Sequence, residues 1–220
     1  MSGTLYIVAT PIGNLEDITY RAVNILKSVD IIACEDTRRT RILTDRYGIS
    51  KPMVSFYSYN EVRKCSYLTN ELLSGKNIAL VSEAGTPGLS DPGHSIIKAA
   101  IEKNIPLDSI PGPTALIDAL VLSGKPMNKF IFEGFLSNKS SQRKKRLGQL
   151  KGDTRTVILY ESPHRILKLL NDILEVMGDV QVVCARELTK KFQEINRDKV
   201  SGIIAHYVKN GVKGEFVVII

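Results

Sequence analysis

The chain has 220 residues, 43% apolar and 24% charged, which leaves room for one large or two modest domains and excludes disordered, collagenous and coiled-coil classes. Lys and Arg number 30 against 23 Asp and Glu, so the formal charge is +7, a balance that favours a polyanionic partner. Cys34, Cys65 and Cys184 show no C-x-x-C pairing, His94, His164 and His206 show no ligand spacing, and no run of about 18 apolar residues occurs; neither disulfide framework, metal site, secretion nor membrane span is expected, and a reducing cytoplasm is the expected setting.

Read in chain order, Thr4 to Ala9 is a short apolar run that predicts a strand, and Ile18, Ala22, Ile25, Leu26 and Val29 recur at helical spacing. Asp30 to Cys34 predicts the next strand, followed by a helix near Arg38 to Tyr47 closed by Gly48, since the left-handed position after a helix favours glycine. Met53 to Phe56 predicts a strand. Asn60 is placed to cap a helix with Val62, Cys65, Thr69 and Leu72 on one face and Gly75 at its end. Ile78 to Val81, a helix through Ile96, Ile97, Ala100 and Ile101, Leu107 to Ile110, and a helix from about Pro113 complete the first half. This alternation predicts βαβ units and a largely parallel sheet.

The polar stretch S-G-K-P-M-N-K from Ser123 to Lys129 is the expected linker, giving α/β domains over 1–123 and 124–220. Beyond it, Phe130 to Phe135, Thr156 to Tyr160, Val180 to Ala185 and Glu215 to Ile220 read as strands. Helical spacing joins Ile166, Leu167, Leu170, Ile173, Leu174 and Met177, and again Val200, Ile203, Ile204 and Tyr207.

The chemistry-bearing residues follow the predicted strands, where open α/β sheets place their ligand crevice. The segments are A-T-P-I-G-N from Ala9, C-E-D-T-R-R from Cys34, S-E-A-G-T-P-G-L-S-D-P-G from Ser82, P-G-P-T-A from Pro111, Y-E-S-P-H-R from Tyr160 and A-R-E-L-T-K from Ala185. Glycine and proline here set tight turns that bring backbone groups close to a ligand. The G-x-G-x-x-G, P-loop and G-x-S-x-G patterns are absent, so a nucleotide-like ligand must be held in some other way, and a serine-hydrolase reading loses support.

These segments, with K-G-E at Lys213 to Glu215, resemble in order and spacing the ribosomal RNA small subunit methyltransferase I family of the tetrapyrrole methylase superfamily. The resemblance runs from Leu5 to the last residue. It implies two α/β domains with S-adenosylmethionine in the cleft between them, 2′-O-methylation of a cytidine (position 1402) in the decoding region of 16S rRNA within the small ribosomal subunit, and a homodimer. Carried over by position, it implies a donor pocket lined by Pro11 and Gly13, by Gly85, Thr86, Pro87 and Leu89, and by Thr114 and Ala115. Tyr160 and Glu161, Arg186 and Glu187, and Lys213 and Gly214 would close it from the second domain. Glu83 departs from the Asp common in relatives, and Lys191, Phe192 and Gln193 depart from their usual continuation of R-E-L-T-K. The sequence stops soon after K-G-E, where relatives often continue.

Ribose methylation requires positioning of the hydroxyl and a group to draw off its proton. Glu35 and Asp36, immediately after a strand, are the first candidate bases, with Glu187 next; acidic residues there also serve as helix caps. Arg38 and Arg39 suit phosphate contacts. Asn138 to Arg146 carries Lys139, Arg143, Lys144, Lys145 and Arg146 with no acid, and reads as an RNA-contacting arm or a solvated helix start. Phe56, Tyr57 and Tyr59 cluster after a strand, as stacking platform or core. The competing expectations are a methylase of a small tetrapyrrole, which has no use for the arm, and a non-catalytic RNA-binding protein.

Overall fold

The apolar runs of the first half form strands Leu5–Val8 (β1), Ile31–Cys34 (β2), Met53–Ser55 (β3), Ile78–Val81 (β4) and Leu107–Ile110 (β5), of which β2 and β4 are buried throughout. The computed structural model describes residues 1–57 and 64–220 in full and 61–63 as helix backbone. The strands run parallel in the order β3-β2-β4-β1-β5. Between them lie Tyr20–Ser28 (α1), Thr37–Arg46 (α2), Glu61–Leu73 (α3) and His94–Glu102 (α4). Asn60, Val62 and Tyr59, read above as cap, helix face and stacking group, lie outside the described side chains.

The chain crosses the sheet in one direction from β1 through β3 and returns from β3 to β5. Right-handed crossovers therefore place α1 and α2 on one face and α3 and α4 on the other. The cores follow that division. Ala22 and Leu26 pack with Val8, Ile32, Cys34 and Val81, whereas Leu68, Leu72, Ile96 and Ala100 pack with Leu5, Ala33, Ile78 and Leu80. The connections diverge between neighbours β2 and β4, so a crevice opens outside their carboxyl ends.

The second half contains Ala115–Ser123 (α5), Phe130–Phe135 (β6), Ser140–Leu150 (α6), Thr156–Glu161 (β7), Ile166–Met177 (α7), Gln181–Arg186 (β8), Glu194–Lys199 (β9), Val200–Asn210 (α8) and Phe216–Ile219 (β10). Its sheet has the order β6-β7-β10-β8-β9, with β6 and β7 parallel and the remaining neighbours antiparallel. The chain is thus α/β with one parallel and one mixed sheet.

Two compact units divide at Thr114/Ala115 rather than at the linker after Ser123, because α5 packs against β7, β8, β9 and β10. Two elements escaped the periodicity reading. Strand β9 is a polar edge, E-I-N-R-D-K, with no apolar alternation. Helix α6 occupies most of the basic run and buries Arg143, Leu147 and Leu150, an i, i+4, i+7 stripe whose first member is charged.

Candidate active site

At the carboxyl edge of the parallel sheet, three strand ends are fastened together by short polar contacts. Thr10 after β1 and Gly85 after β4 exchange reciprocal backbone hydrogen bonds of 2.9 Å each, and the Thr10 hydroxyl donates to the Ser82 carbonyl at 3.2 Å. The Thr86 and Thr114 hydroxyls meet at 2.7 Å, joining the loops after β4 and β5. Gly85 sits at φ +81°, and a Cβ there would lie 3.4 Å from Ile12 Cγ2 and 3.6 Å from the Pro113 carbonyl. Glycine is needed there for its left-handed backbone more than for space. Pro11 and Pro87 are buried within this arrangement, and Gly13 and Leu89 are exposed at its rim. Thr10 and Ser82 were not singled out in the sequence, since their roles are backbone fastening, which leaves no residue-type signature.

Glu35, Asp36 and Glu83 lie at the crevice between β2 and β4, and they differ sharply in state. Asp36 caps α2: its Oδ1 accepts from the Arg38 amide at 2.8 Å and Nε at 3.2 Å, and its Oδ2 accepts from Nη2 at 2.9 Å. The Arg38 bonds hold its carboxyl down at about 2. A carboxylate so held is a poor proton acceptor. Glu35 is half-buried; burial pushes its carboxyl above the ordinary range, and the nearby Glu83 charge adds to the push while Arg39 opposes it. Arg39 Nη1 donates to Glu83 Oε2 at 2.6 Å, tying α2 to the loop after β4. Arg39, expected on phosphate, is thus paired at the crevice with its side chain still 66% exposed.

In the second unit the expected pocket residues are ordered by their own neighbours. The Tyr160 hydroxyl accepts from the Leu116 amide in the first turn of α5 at 3.1 Å, and Phe132 and Phe135 pack edge-on against its ring. Ala115 opens that helix. Glu161 is buried; its Oε1 accepts from the Ser162 amide at 2.8 Å and stands 3.4 Å from Arg165 Nε, while Oε2 has no hydrogen-bond partner among the described residues. Burial pushes its carboxyl up. Arg186 Nε stands 3.0 Å from Glu194 Oε2 across the β8–β9 pair.

Glu187, the third candidate base, is committed elsewhere. It adopts φ +51°, and its Oε1 accepts from Lys190 Nζ at 2.9 Å and from the Glu215 amide at 3.0 Å. Burial alone would raise its carboxyl, but the Lys190 and Glu215 bonds outweigh it and leave the group below the ordinary range. Gly214, at φ +84°, lies directly beneath this side chain, with no room for a Cβ beside Glu187 Cγ. Lys213 is exposed next to it.

The expected RNA arm is largely engaged inside its own unit. Arg143 is 3% exposed and reaches Asp172 Oδ2 on α7 through Nε at 2.6 Å and Nη2 at 2.5 Å, so it anchors α6 to α7 and presents nothing to a phosphate. Lys144 pairs with Glu175 at 2.6 Å, and Arg146 holds both oxygens of Glu133 at 2.5 and 2.7 Å. Lys139 and Lys145 are exposed. Phe56, 1% exposed, is core, whereas Tyr57 is 38% exposed. Among the described residues no group of three or more His, Cys, Asp or Glu is placed to hold a metal ion, and no helix is long and apolar enough to cross a membrane.

The sequence profile of the Tetrapyrrole (Corrin/Porphyrin) Methylases matches residues 4–203. The chain belongs to the tetrapyrrole methylase family. It is 46% identical over 218 residues to a Thermotoga maritima protein named Ribosomal RNA small subunit methyltransferase I, spanning 99% of this chain and 98% of that one. A Synechocystis protein of the same name is 47% identical over 219 residues, 99% of this chain and 78% of its own length. The resemblance read from the motif order therefore holds at the level of the whole sequence.

Solved structures share the fold at low identity. They include the methyltransferase CobJ (TM-score 0.74, 18% identity, 99% of this chain and 93% of that one) and uroporphyrin-III-C-methyltransferase from Thermus thermophilus (TM-score 0.68, 16% identity, 99% and 94%). In this tetrapyrrole methylase the longer carboxylate at Glu83 is the one that reaches Arg39.

Proposed function

We propose that the chain is an S-adenosylmethionine-dependent rRNA methyltransferase that methylates the ribose 2′-oxygen of cytidine-1402 in the decoding region of 16S rRNA. The observation that carries the class is the similarity, over nearly the whole of both sequences, to the Thermotoga protein whose name gives small-subunit rRNA as the molecule methylated. The first unit's residues fit the donor: the Thr10–Gly85 fastening and left-handed Gly85 bring backbone to a ligand as a flat nucleoside requires. Pro11, Gly85, Thr86, Pro87 and Thr114 are the residues of the first unit that would hold it. S-adenosylmethionine, when bound, supplies an electrophilic methyl on a sulfonium.

Glu35 takes the proton of the ribose hydroxyl. Its raised affinity for a proton brings it nearer the operating pH than an ordinary carboxylate, and the Arg39–Glu83 pair beside it fixes the electrostatics of the crevice. Asp36 and Glu187 are assigned structural roles, as helix cap and as partner of Lys190. The exposed apolar side chains of Ile117 and Val121 on α5, 44% and 61% exposed, suit burial against a second copy and support a homodimer.

The test is transfer of labelled methyl to unmodified small subunits and to naked 16S rRNA, with mapping of the product. A single 2′-O-methylcytidine at the decoding site is expected. Donor binding without methylation of either RNA favours a small tetrapyrrole as substrate, and RNA binding without donor binding favours a non-catalytic protein.

A further inference from the structure

Helix α2 begins at the crevice, capped by Asp36, and its outward face is unusual. At 100° per residue, Arg38, Arg39, Arg41, Ile42, Asp45 and Arg46 share one arc, and all are exposed. Thr40, Leu43 and Thr44 form the buried side. Helix stability accounts for Arg46, which stands in the last turn where the dipole favours a cation, but not for the arginines at the other end. Arg38 and Arg39 stand in the first turn, where the helix dipole disfavours cations, and Arg38 and Arg41 repel at i, i+3. Arg38 is already bound to Asp36 and Arg39 to Glu83, whereas Arg41 and Arg46 have no ion pair among the described residues. The helix is held firmly at its far end, where the Tyr47 hydroxyl donates to the Leu15 carbonyl at 2.7 Å.

We infer that the outer face of α2, with Arg41 and Arg46 as its free charges, is a docking track for the RNA backbone that leads into the crevice at Glu35. The inference rests on the proposed rRNA substrate and moves the main phosphate contact from the dense basic run on α6, whose Arg143, Lys144 and Arg146 have internal partners, to scattered arginines on α2. Four arginines and one acid on an arc that rises about 12 Å from Arg38 to Arg46, at about 1.5 Å per residue, complement a strand carrying one charge per nucleotide. Arginine's planar fork suits phosphate oxygens.

The experiment measures binding of naked 16S rRNA and of small ribosomal subunits to the full chain and to R41A/R46A across a salt series. Each lost phosphate contact removes about 0.7–0.9 from the slope of log K against log salt, so the double variant is expected to lose about 1.4–1.8 units. Between 50 and 200 mM salt the natural chain's advantage should then shrink roughly 7- to 12-fold. Donor affinity of the same preparation should be unchanged, which shows that it is folded, and R41K/R46K should restore most of the slope. An unchanged slope in a variant that binds donor overturns the track and leaves the rRNA reading standing. No RNA binding by the natural chain overturns both. A loss seen with subunits and absent with naked RNA identifies a ribosomal protein as the partner of this face, and that too overturns the inference.

Discussion

Replacing Arg143 by Ala separates its two readings cleanly. As an anchor it donates through Nε and Nη2 to Asp172 at 2.6 and 2.5 Å and through Nη1 to the Ser137 carbonyl at 3.0 Å, with side chains only 3% and 9% exposed. The substitution leaves the Asp172 carboxylate buried with the Ser140 hydroxyl at 3.1 Å and Lys144 at 3.8 Å. Breaking one side of a buried pair costs about 3–5 kcal/mol, and burial this deep leaves little solvent screening to discount it. At about 2–4 °C per kcal/mol for a chain of this size, the midpoint should fall by roughly 6–20 °C. A double R143M/D172L variant, which removes both charges and keeps the volume, should recover most of that loss. Thermal and urea unfolding followed by circular dichroism measure both variants. A loss below about 0.5 kcal/mol in R143A, together with weakened RNA binding, would refute the anchor and return Arg143 to the RNA surface.

Glu35→Gln should lower kcat by about 100-fold or more while donor affinity stays level, since a positioned base contributes about that much. In the natural chain Glu35 must be ionised to accept the proton, and its carboxyl lies above the ordinary range, so kcat should fall as pH drops through that raised value. Glu83→Gln removes a like charge and frees Arg39, and should move this acid limb to lower pH; an unmoved limb assigns it to another group. Gly85→Val puts a branched side chain at φ +81° against Ile12 and should abolish donor binding in equilibrium dialysis with RNA affinity intact; normal donor affinity would place the pocket elsewhere. Gly214→Ala combines left-handed strain of about 1–2 kcal/mol with displacement of Glu187 from Lys190, so the midpoint should drop by at least about 2–8 °C. No change in unfolding would mean that the Lys213–Glu215 turn relaxes freely.

What the sequence made legible follows from where the physics is local. The strands of the first sheet are short apolar runs because β2 and β4 are buried on both faces, and the Gly- and Pro-rich loops mark their carboxyl ends directly. Edge strand β9 carries Arg197, Asp198 and Lys199 because an exposed edge needs no apolar alternation, so no period could reveal it. Helix α6 hid because its inward stripe starts with Arg143, whose partner Asp172 lies 29 positions away on α7. Likewise Glu35 and Asp36 are adjacent acids after a strand, and only tertiary neighbours distinguish the capping carboxylate from the half-buried one beside Glu83. Arg41 and Arg46 were recoverable from helical spacing, but a run of charge draws the eye more readily than a face.

The position of β10 has a consequence for biosynthesis. It follows every other strand of its sheet along the chain, yet lies between β7 and β8 and is buried throughout. Polypeptides emerge amino end first, so the parallel sheet, built from successive βαβ units, has all its strands available early. The second sheet stays split into a β6–β7 pair and a β8–β9 hairpin, each with a bare inner edge, until Phe216–Ile219 arrives and closes both at once. During that interval the nascent chain carries two unsatisfied ladders able to pair with foreign strands, and this is the window in which a chaperone or a slowed ribosome would most affect its yield.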